Sequence, residues 1–86
     1  MALAALSRAR VVDVSEDLGY VVFDAGSSAG LRPGMVLNVV RDDQVVARVR
    51  ASEVKENLTG ASVEETEAGA FPQAGDRMVL GKGSGA

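Results

Sequence analysis

The stretch that decides the fold runs from Gly26 to Arg41 and reads GSSAGLRPGMVLNVVR. Glycine and proline are concentrated up to residue 34, and the rest is mostly apolar with β-branched side chains. This pattern predicts a loop that delivers the chain into a β-strand covering residues 35–41. Within the loop we expect one short helical turn, with Ser27 capping its start and Gly30 ending it.

Two predicted turns flank this strand. Before it, Pro33 restricts Arg32 to extended backbone, and Gly34 permits a positive φ where the chain changes direction. After it, Asp42 and Asp43 form a tight hairpin turn, because aspartate tolerates left-handed backbone conformation better than most residues. The strand itself is apolar on both faces for most of its length, which predicts a central position in a sheet.

Hydrophobic alternation predicts five further strands, separated by polar or glycine-containing turns. In the second predicted strand, Val21 and Phe23 are expected to point inward. In the fourth, one face is expected to be buried, and it carries Val45, Ala47, Val49 and Ala51. With the strand at 35–41, the predicted set covers residues 9–15, 18–25, 35–41, 44–54, 58–64 and 76–80.

Length and composition limit the fold and the chemistry. The chain has 86 residues, enough for one domain, and its aromatic content of 3% requires an aliphatic core. It contains no histidine and no cysteine, so the commonest general base and the thiolate metal ligands are both missing. No apolar run approaches the roughly 18–20 residues of a membrane span. We therefore expect no cofactor and no metal, no direct membrane insertion by this segment, and no enzymatic activity.

Short segments recur at an offset of about forty residues. The matching pairs are Ala9-Arg10-Val11 with Ala47-Arg48-Val49, Leu18-Gly19 with Leu58-Thr59-Gly60, and the apolar residues that follow Gly34 and Gly75. This predicts two intertwined halves, about 9–41 and 47–80, each a hairpin, a glycine/proline connection and a strand. Together they predict an all-β fold, a small closed six-stranded barrel over residues 9–80. An unduplicated small barrel or sandwich is the alternative. Residues 1–8 are expected to be a linker or the end of a preceding helix, and 81–86 a flexible tail.

Charge is unevenly distributed along the chain. Residues 26–52 carry four arginines and two aspartates, whereas residues 53–76 carry six acidic residues and one lysine. Such a dipole favours head-to-tail self-contact, although ordinary solvated faces are the simpler explanation. Arg48 and Arg50, with Arg41 across the hairpin, form the candidate interaction patch, for which a second copy or an acidic protein is the expected partner.

The glycine-rich connection is the second candidate site. Its rim consists of Ser27, Ser28, Gly30, Leu31 and Arg32, and the backbone N–H groups of Gly26, Gly30 and Gly34 could face a phosphate. The glycine spacing is not that of a nucleotide-binding loop and no P-loop lysine follows, so a structural role in turns is favoured. The residues with that structural role are Gly26, Pro33, Gly34, Asp42, Asp43, Gly75 and Asp76.

These turn residues carry a family resemblance. The pattern from Gly26 through Pro33-Gly34 to Arg41, followed later by Gly75-Asp76, resembles the small β-barrel module near the C-terminus of bacterial envelope proteins. Examples are the C-terminal domain of the flagellar assembly protein FlgT and the barrel of the cell-shape protein MreC. Gly75-Asp76 also resembles the glycine-aspartate turn of the cradle-loop, or RIFT-like, barrels, whereas the first half has Met35 in place of the aspartate.

The resemblance implies a scaffold for protein-protein interaction, associated with the bacterial envelope on its periplasmic side. A ligand- or peptide-binding barrel that uses the loop of residues 26–34 is the alternative function. DNA binding is a third class, because relatives of the cradle-loop barrels bind DNA. A net charge of -3 and a pI of 4.8 speak against it, and no nucleic-acid partner is expected.

Overall fold

A computed structural model describes residues 9–67 and 69–80 of the chain. The all-β prediction is confirmed: strands occur at all six predicted positions, and the fifth continues to residue 66. Residues 1–8 and 81–86, predicted as linker and tail, lie outside the described residues. The elements are β1 (Val11–Ser15), β2 (Tyr20–Phe23), a 3-10 helix (Ser27–Ala29), β3 (Val36–Arg41), β4 (Gln44–Val54), β5 (Thr59–Thr66) and β6 (Arg77–Leu80).

The six strands form one antiparallel sheet in the order β1-β2-β5-β4-β3-β6, curled into a half-barrel. One-residue shifts in the pairing register leave an extra residue at Val12 in β1, at Val46 and Ser52 in β4, and at Glu64 in β5. Each extra residue is a β-bulge, which bends its strand and increases the local twist. The bulges on the two longest strands therefore explain how so small a sheet curls around its core.

The predicted faces of β4 are wrong at the start of the strand because of one of these bulges. Ala47, Val49 and Ala51 point inward as predicted, but Val45 is 42% exposed and Val46 is buried instead. The reason is the extra residue at Val46, because one inserted residue moves the side chains before it to the opposite face. The strict alternation read from the sequence is therefore wrong at the start of this strand.

The core is aliphatic apart from Phe23, and Val21 and Phe23 are both fully buried, which confirms their predicted inward orientation. Leu31 also belongs to this core, although it lies in the glycine-rich connection. The cluster consists of Ala9, Val11, Val21, Phe23, Ala25, Ala29, Leu31, Leu37, Val39, Val46, Ala47, Val49, Ala61 and Met78.

The left-handed conformations predicted at two turns are present. Asp42 and Asp43 have φ values of 52° and 65°, and Gly34 has a φ of 92°. Gly30 ends the 3-10 helix in the left-handed region, but the predicted cap at Ser27 is wrong. The residue at the N-cap is Gly26, and no side chain caps the helix.

The connections before β3 and before β6 make matching hydrogen bonds. In each connection, a glycine N–H donates to the backbone carbonyl of a residue on another strand. The N–H of that strand residue donates back to the carbonyl of the residue that follows the glycine. The four distances are all 2.8 Å, for Gly34 N to Ala51 O, Ala51 N to Met35 O, Gly75 N to Val11 O, and Val11 N to Asp76 O. The second set joins the start of β1 to the start of β6, the two outer strands of the sheet.

A buried hydroxyl ties the end of β2 to β5. Thr59 is completely buried, and its Oγ1 donates to the carbonyl of Ala25 at 2.7 Å. Replacing Thr59 with valine keeps the shape but removes the donor and leaves a buried acceptor unpaired. We expect the free energy of unfolding to fall by about 1 kcal/mol. Urea denaturation measures this, with Thr59→Ser as the control that keeps the hydroxyl. A valine variant as stable as the wild type would contradict this role of the hydrogen bond.

Candidate functional site

A bidentate ion pair joins β3 to the connection between β5 and β6. Arg41 donates from Nε to Asp76 Oδ1 at 2.9 Å and from Nη2 to Asp76 Oδ2 at 2.8 Å. Its Nη2 also donates to the carbonyl of Phe71 at 3.0 Å. Asp76 is only 6% exposed, and its Oδ2 accepts the backbone N–H of Gln73 at 2.8 Å. The bidentate pair therefore fixes the connection against β3.

These contacts perturb the ionisation of Asp76. Burial by itself raises the pKa of Asp76, but the Arg41 hydrogen bonds, the Gln73 N–H and the Arg41 charge outweigh it. The net effect holds the pKa of this carboxyl below its ordinary value, so the group is a stable carboxylate. Its hydrogen-bonding capacity is used inside the protein, which is the arrangement of a structural ion pair.

At the corresponding position of the first connection, a thioether replaces the carboxylate. The backbone N–H of Arg32 lies 3.2 Å from the sulfur of Met35, as the N–H of Gln73 lies 2.8 Å from the carboxylate of Asp76. Methionine sulfur is a weak acceptor. The departure from the glycine-aspartate pattern at Met35 therefore keeps the turn but not the ion pair.

The structure places Arg48 and Arg50 of the candidate patch together and Arg41 elsewhere. Arg50 Nε lies 2.7 Å from Glu64 Oε2, and Arg48 Nη2 lies 3.0 Å from Glu65 Oε1. The bulge at Glu64 puts consecutive glutamates within reach of both arginines. Hydrogen bonding to Arg50 is the largest cause that lowers the pKa of Glu64, although partial burial opposes it.

Because of these ion pairs, Arg48 and Arg50 do not form a free basic patch. Both arginines are ion-paired within the chain, so they form a charge-balanced ladder with Glu64 and Glu65 on the outer face of the sheet. The same glutamates belong to the acidic second half that the sequence suggested as the partner of the arginines in another copy. Much of the predicted charge dipole is therefore compensated within one chain.

The glycine-rich rim uses its backbone donors internally. The N–H groups of Ser27 and Ser28 donate to the carbonyls of Lys55 and Glu56, at 2.8 and 3.1 Å. Those of residues 29–31 donate to carbonyls at the start of the same loop, and that of Arg32 faces the Met35 sulfur. Every N–H from Ser27 to Arg32 thus has an acceptor in the chain, which leaves none of them for a phosphate.

Sequence reasoning missed an apolar cleft on the outer face of the sheet. Tyr20 and Val22 of β2 and Leu58 before β5 surround Gly60, with Lys55 and Glu53 at the edge, and enclose about 150 Å³. A Cβ at Gly60 would overlap the ring and hydroxyl of Tyr20, so the ring lies directly over that backbone. The sequence indicates that Tyr20 and Val22 share the outward face of β2. The register that places them beside Gly60 cannot be read from the sequence.

Across residues 9–67 and 69–80, no three acidic side chains are grouped in a way that would hold a metal ion. The same residues contain no helix with the length and hydropathy of a membrane span. Comparison with protein-family models, with curated proteins and with solved structures found no match to this chain.

Proposed function

We propose that this chain is a non-catalytic protein-interaction module that docks a partner on the outer face of β2, β5 and β4. The observation that carries the proposal is the apolar cleft around Gly60 on the outer face of the sheet. Leu58 is 46% exposed there, although it is a large aliphatic residue at a turn where polar residues are usual.

The surroundings of the cleft have the anatomy of an interface. Tyr20, Val22 and Leu58 line it, and the Tyr20 ring covers the backbone of Gly60. The ion-paired ladder of Arg48, Arg50, Glu64 and Glu65 lies on the same sheet face, on β4 and β5. Protein interfaces combine an apolar centre that contains aromatic anchors with a polar rim. A cleft of this size accommodates one aliphatic side chain of a partner.

The non-catalytic part of the proposal is supported by the residues that remain for chemistry. The chain has neither histidine nor cysteine, and Arg41 and Asp76 already hydrogen-bond to each other and to backbone groups. A nucleophilic serine would need a base within hydrogen-bond reach. The hydroxyl of Ser28 instead lies 2.9 Å from the carbonyl of Glu56 and 2.9 Å from the side-chain oxygen of Asn57.

We further propose that the fold is a duplicated barrel and that the module serves a larger, bacterial envelope-associated protein. The matching hydrogen bonds at Gly34 and Gly75 support the duplication. The strand register also supports the duplication. Val21 of β2 pairs with Ala61 of β5, forty residues later, and the matching sequence segments are also about forty residues apart. The contacts of residues 9–11 with 75–78 support closure. The envelope assignment rests on the resemblance to the FlgT and MreC modules alone.

Site-specific crosslinking in the source cells tests the docking face. A photoreactive phenylalanine derivative at Val22 is expected to give a defined adduct with one protein, and Leu58→Glu is expected to abolish it by placing a charge in the cleft. Leu18→Glu is the matched control, because Leu18 is 79% exposed at the β1–β2 hairpin. An adduct that survives Leu58→Glu, or that is lost equally in Leu18→Glu, would contradict the proposal.

A further inference from the structure

Two arginines face each other across the seam between β1 and β6. Arg10 and Arg77 form an isolated antiparallel bridge, and both are exposed. Neither forms an ion pair within the described residues, and the segments outside them contain no aspartate or glutamate. Asp24 accepts the backbone N–H of Arg10, not its guanidinium. Like charges directly opposite in a sheet are unfavourable, and within the described residues no carboxylate lies within ion-pair distance of either guanidinium.

The other arginines of the sheet are paired with carboxylates. Arg41, Arg48 and Arg50 each have a carboxylate within about 3 Å. The seam arginines are therefore not examples of a general surplus of positive charge on the sheet, since the chain carries more acidic than basic residues.

The cleft that Arg10 and Arg77 line also carries negative charge. Asp42 and Asp43 at the β3–β4 turn line a cleft of about 420 Å³ together with Arg10 and Arg77. Arg41 and Asp76 line it as well, but they are ion-paired with each other at 2.8 Å. Both aspartates of the turn are exposed, and within the described part of the chain neither forms an ion pair. A turn with two left-handed residues is most easily built from Asn-Gly, so two adjacent carboxylates are not what the backbone demands.

We propose that this cleft is a contact between two copies of the chain related by a two-fold axis. In such a contact the same patch meets itself, so the patch must be self-complementary. A basic wall formed by Arg10 and Arg77 beside an acidic wall formed by Asp42 and Asp43 satisfies this: each wall of one copy faces the opposite wall of the other. A simple anion would meet the aspartates and a simple cation the arginines, so a partner with both charges fits better than either.

The contact is separate from the docking face around Gly60, because the two surfaces share no residue. An experiment can therefore reject self-association without rejecting the proposed docking of a partner, and the reverse is also true. The contact is mainly electrostatic and exposed, so we expect weak association that salt screens strongly.

Sedimentation velocity of the 86-residue chain, from about 10 µM to about 1 mM, tests the contact. We expect a monomer-dimer equilibrium whose dissociation constant rises about tenfold or more between roughly 0.02 M and 0.5 M salt. A monomer at every concentration in low salt would overturn the proposal.

Two sets of variants test the residues. Asp42→Asn with Asp43→Gly improves the turn while removing both carboxylates, so it is expected to fold at least as well and to lose the dimer. Arg10→Glu with Arg77→Glu, and separately Asp42→Lys with Asp43→Lys, are each expected to be monomeric. Mixed together, the two charge-reversed proteins are expected to form a heterodimer, because both walls are complementary again.

The matched control is Arg32→Glu with Lys55→Glu, which changes the net charge as much as the reversal at Arg10 and Arg77 does but lies outside the cleft. It is expected to keep the dimer. Loss of the dimer in this control to the same extent, a wild-type dimer that persists in Asp42→Asn with Asp43→Gly, or a mixture that stays monomeric would each reject the contact.

Discussion

Replacing Asp76 with asparagine is expected to lower the free energy of unfolding by about 2 kcal/mol near neutral pH. The substitution keeps the shape but removes the negative charge that Arg41 contacts through two nitrogens, and it weakens the acceptor for Gln73 N–H. Chemical denaturation measures the loss. Asp43→Asn is the control, since that carboxylate is exposed and forms no ion pair in the described residues, and its effect is expected to be small.

The pH dependence identifies the charge as the cause. The pKa of Asp76 is lowered in the folded state, so the unfolded chain binds protons more readily in the window just below the ordinary value of 3.8. Its contribution to stability is therefore complete above that value and is lost as the pH falls through the folded-state pKa. The stability difference between wild type and Asp76→Asn should shrink as the pH is lowered toward about 2. A difference that is constant with pH would show that shape, not charge, is responsible.

Gly26→Ala is expected to destabilise the protein by about 3 kcal/mol. A Cβ at this position would overlap the backbone carbonyl of Lys55 and come too close to the backbone of Glu56. Neither neighbour is the end of a flexible side chain, so the loop must move outward. That movement breaks the hydrogen bonds from the N–H groups of Ser27 and Ser28 to the β4–β5 turn.

Gly34→Ala separates close approach from backbone conformation. Gly34 has a φ of 92°, but a Cβ there would meet no atom within 4 Å. Its cost comes from conformation alone and is expected to be about 1 kcal/mol. Thermal or urea unfolding of both variants compares the two, and equal losses would contradict the role assigned to the contact between Gly26 and Lys55.

Local patterns were sufficient to predict the strands and the turns. The apolar run after Gly34, the Asp42-Asp43 pair and the alternation at Val21 and Phe23 each depend on backbone preference or on burial of one face. Such effects act within a few residues, so the sequence contains them directly. The inward orientation of Val45 was predicted wrongly because a bulge depends on the partner strand, which is not adjacent in sequence.

The candidate sites were harder to predict because they depend on register. Arg48 and Arg50 look like a free basic patch until the pairing of β4 with β5 brings Glu64 and Glu65 beside them. Leu31 looks like a rim residue until the loop folds over the core. The cleft at Gly60 requires the β2–β5 register, and the opposition of Arg10 and Arg77 requires the curl of the whole sheet. None of these is a short-range property.

The bridge between β1 and β6 also determines how the sheet connects to its surroundings. Met78 N donates to Ala9 O at 3.4 Å, and because the two strands are antiparallel, the start of β1 and the end of β6 point out of the same end of the fold. A unit whose entry and exit lie side by side can be spliced into a surface loop of a host domain without forcing the ends of that loop apart. The described sheet has its entry and its exit in this arrangement.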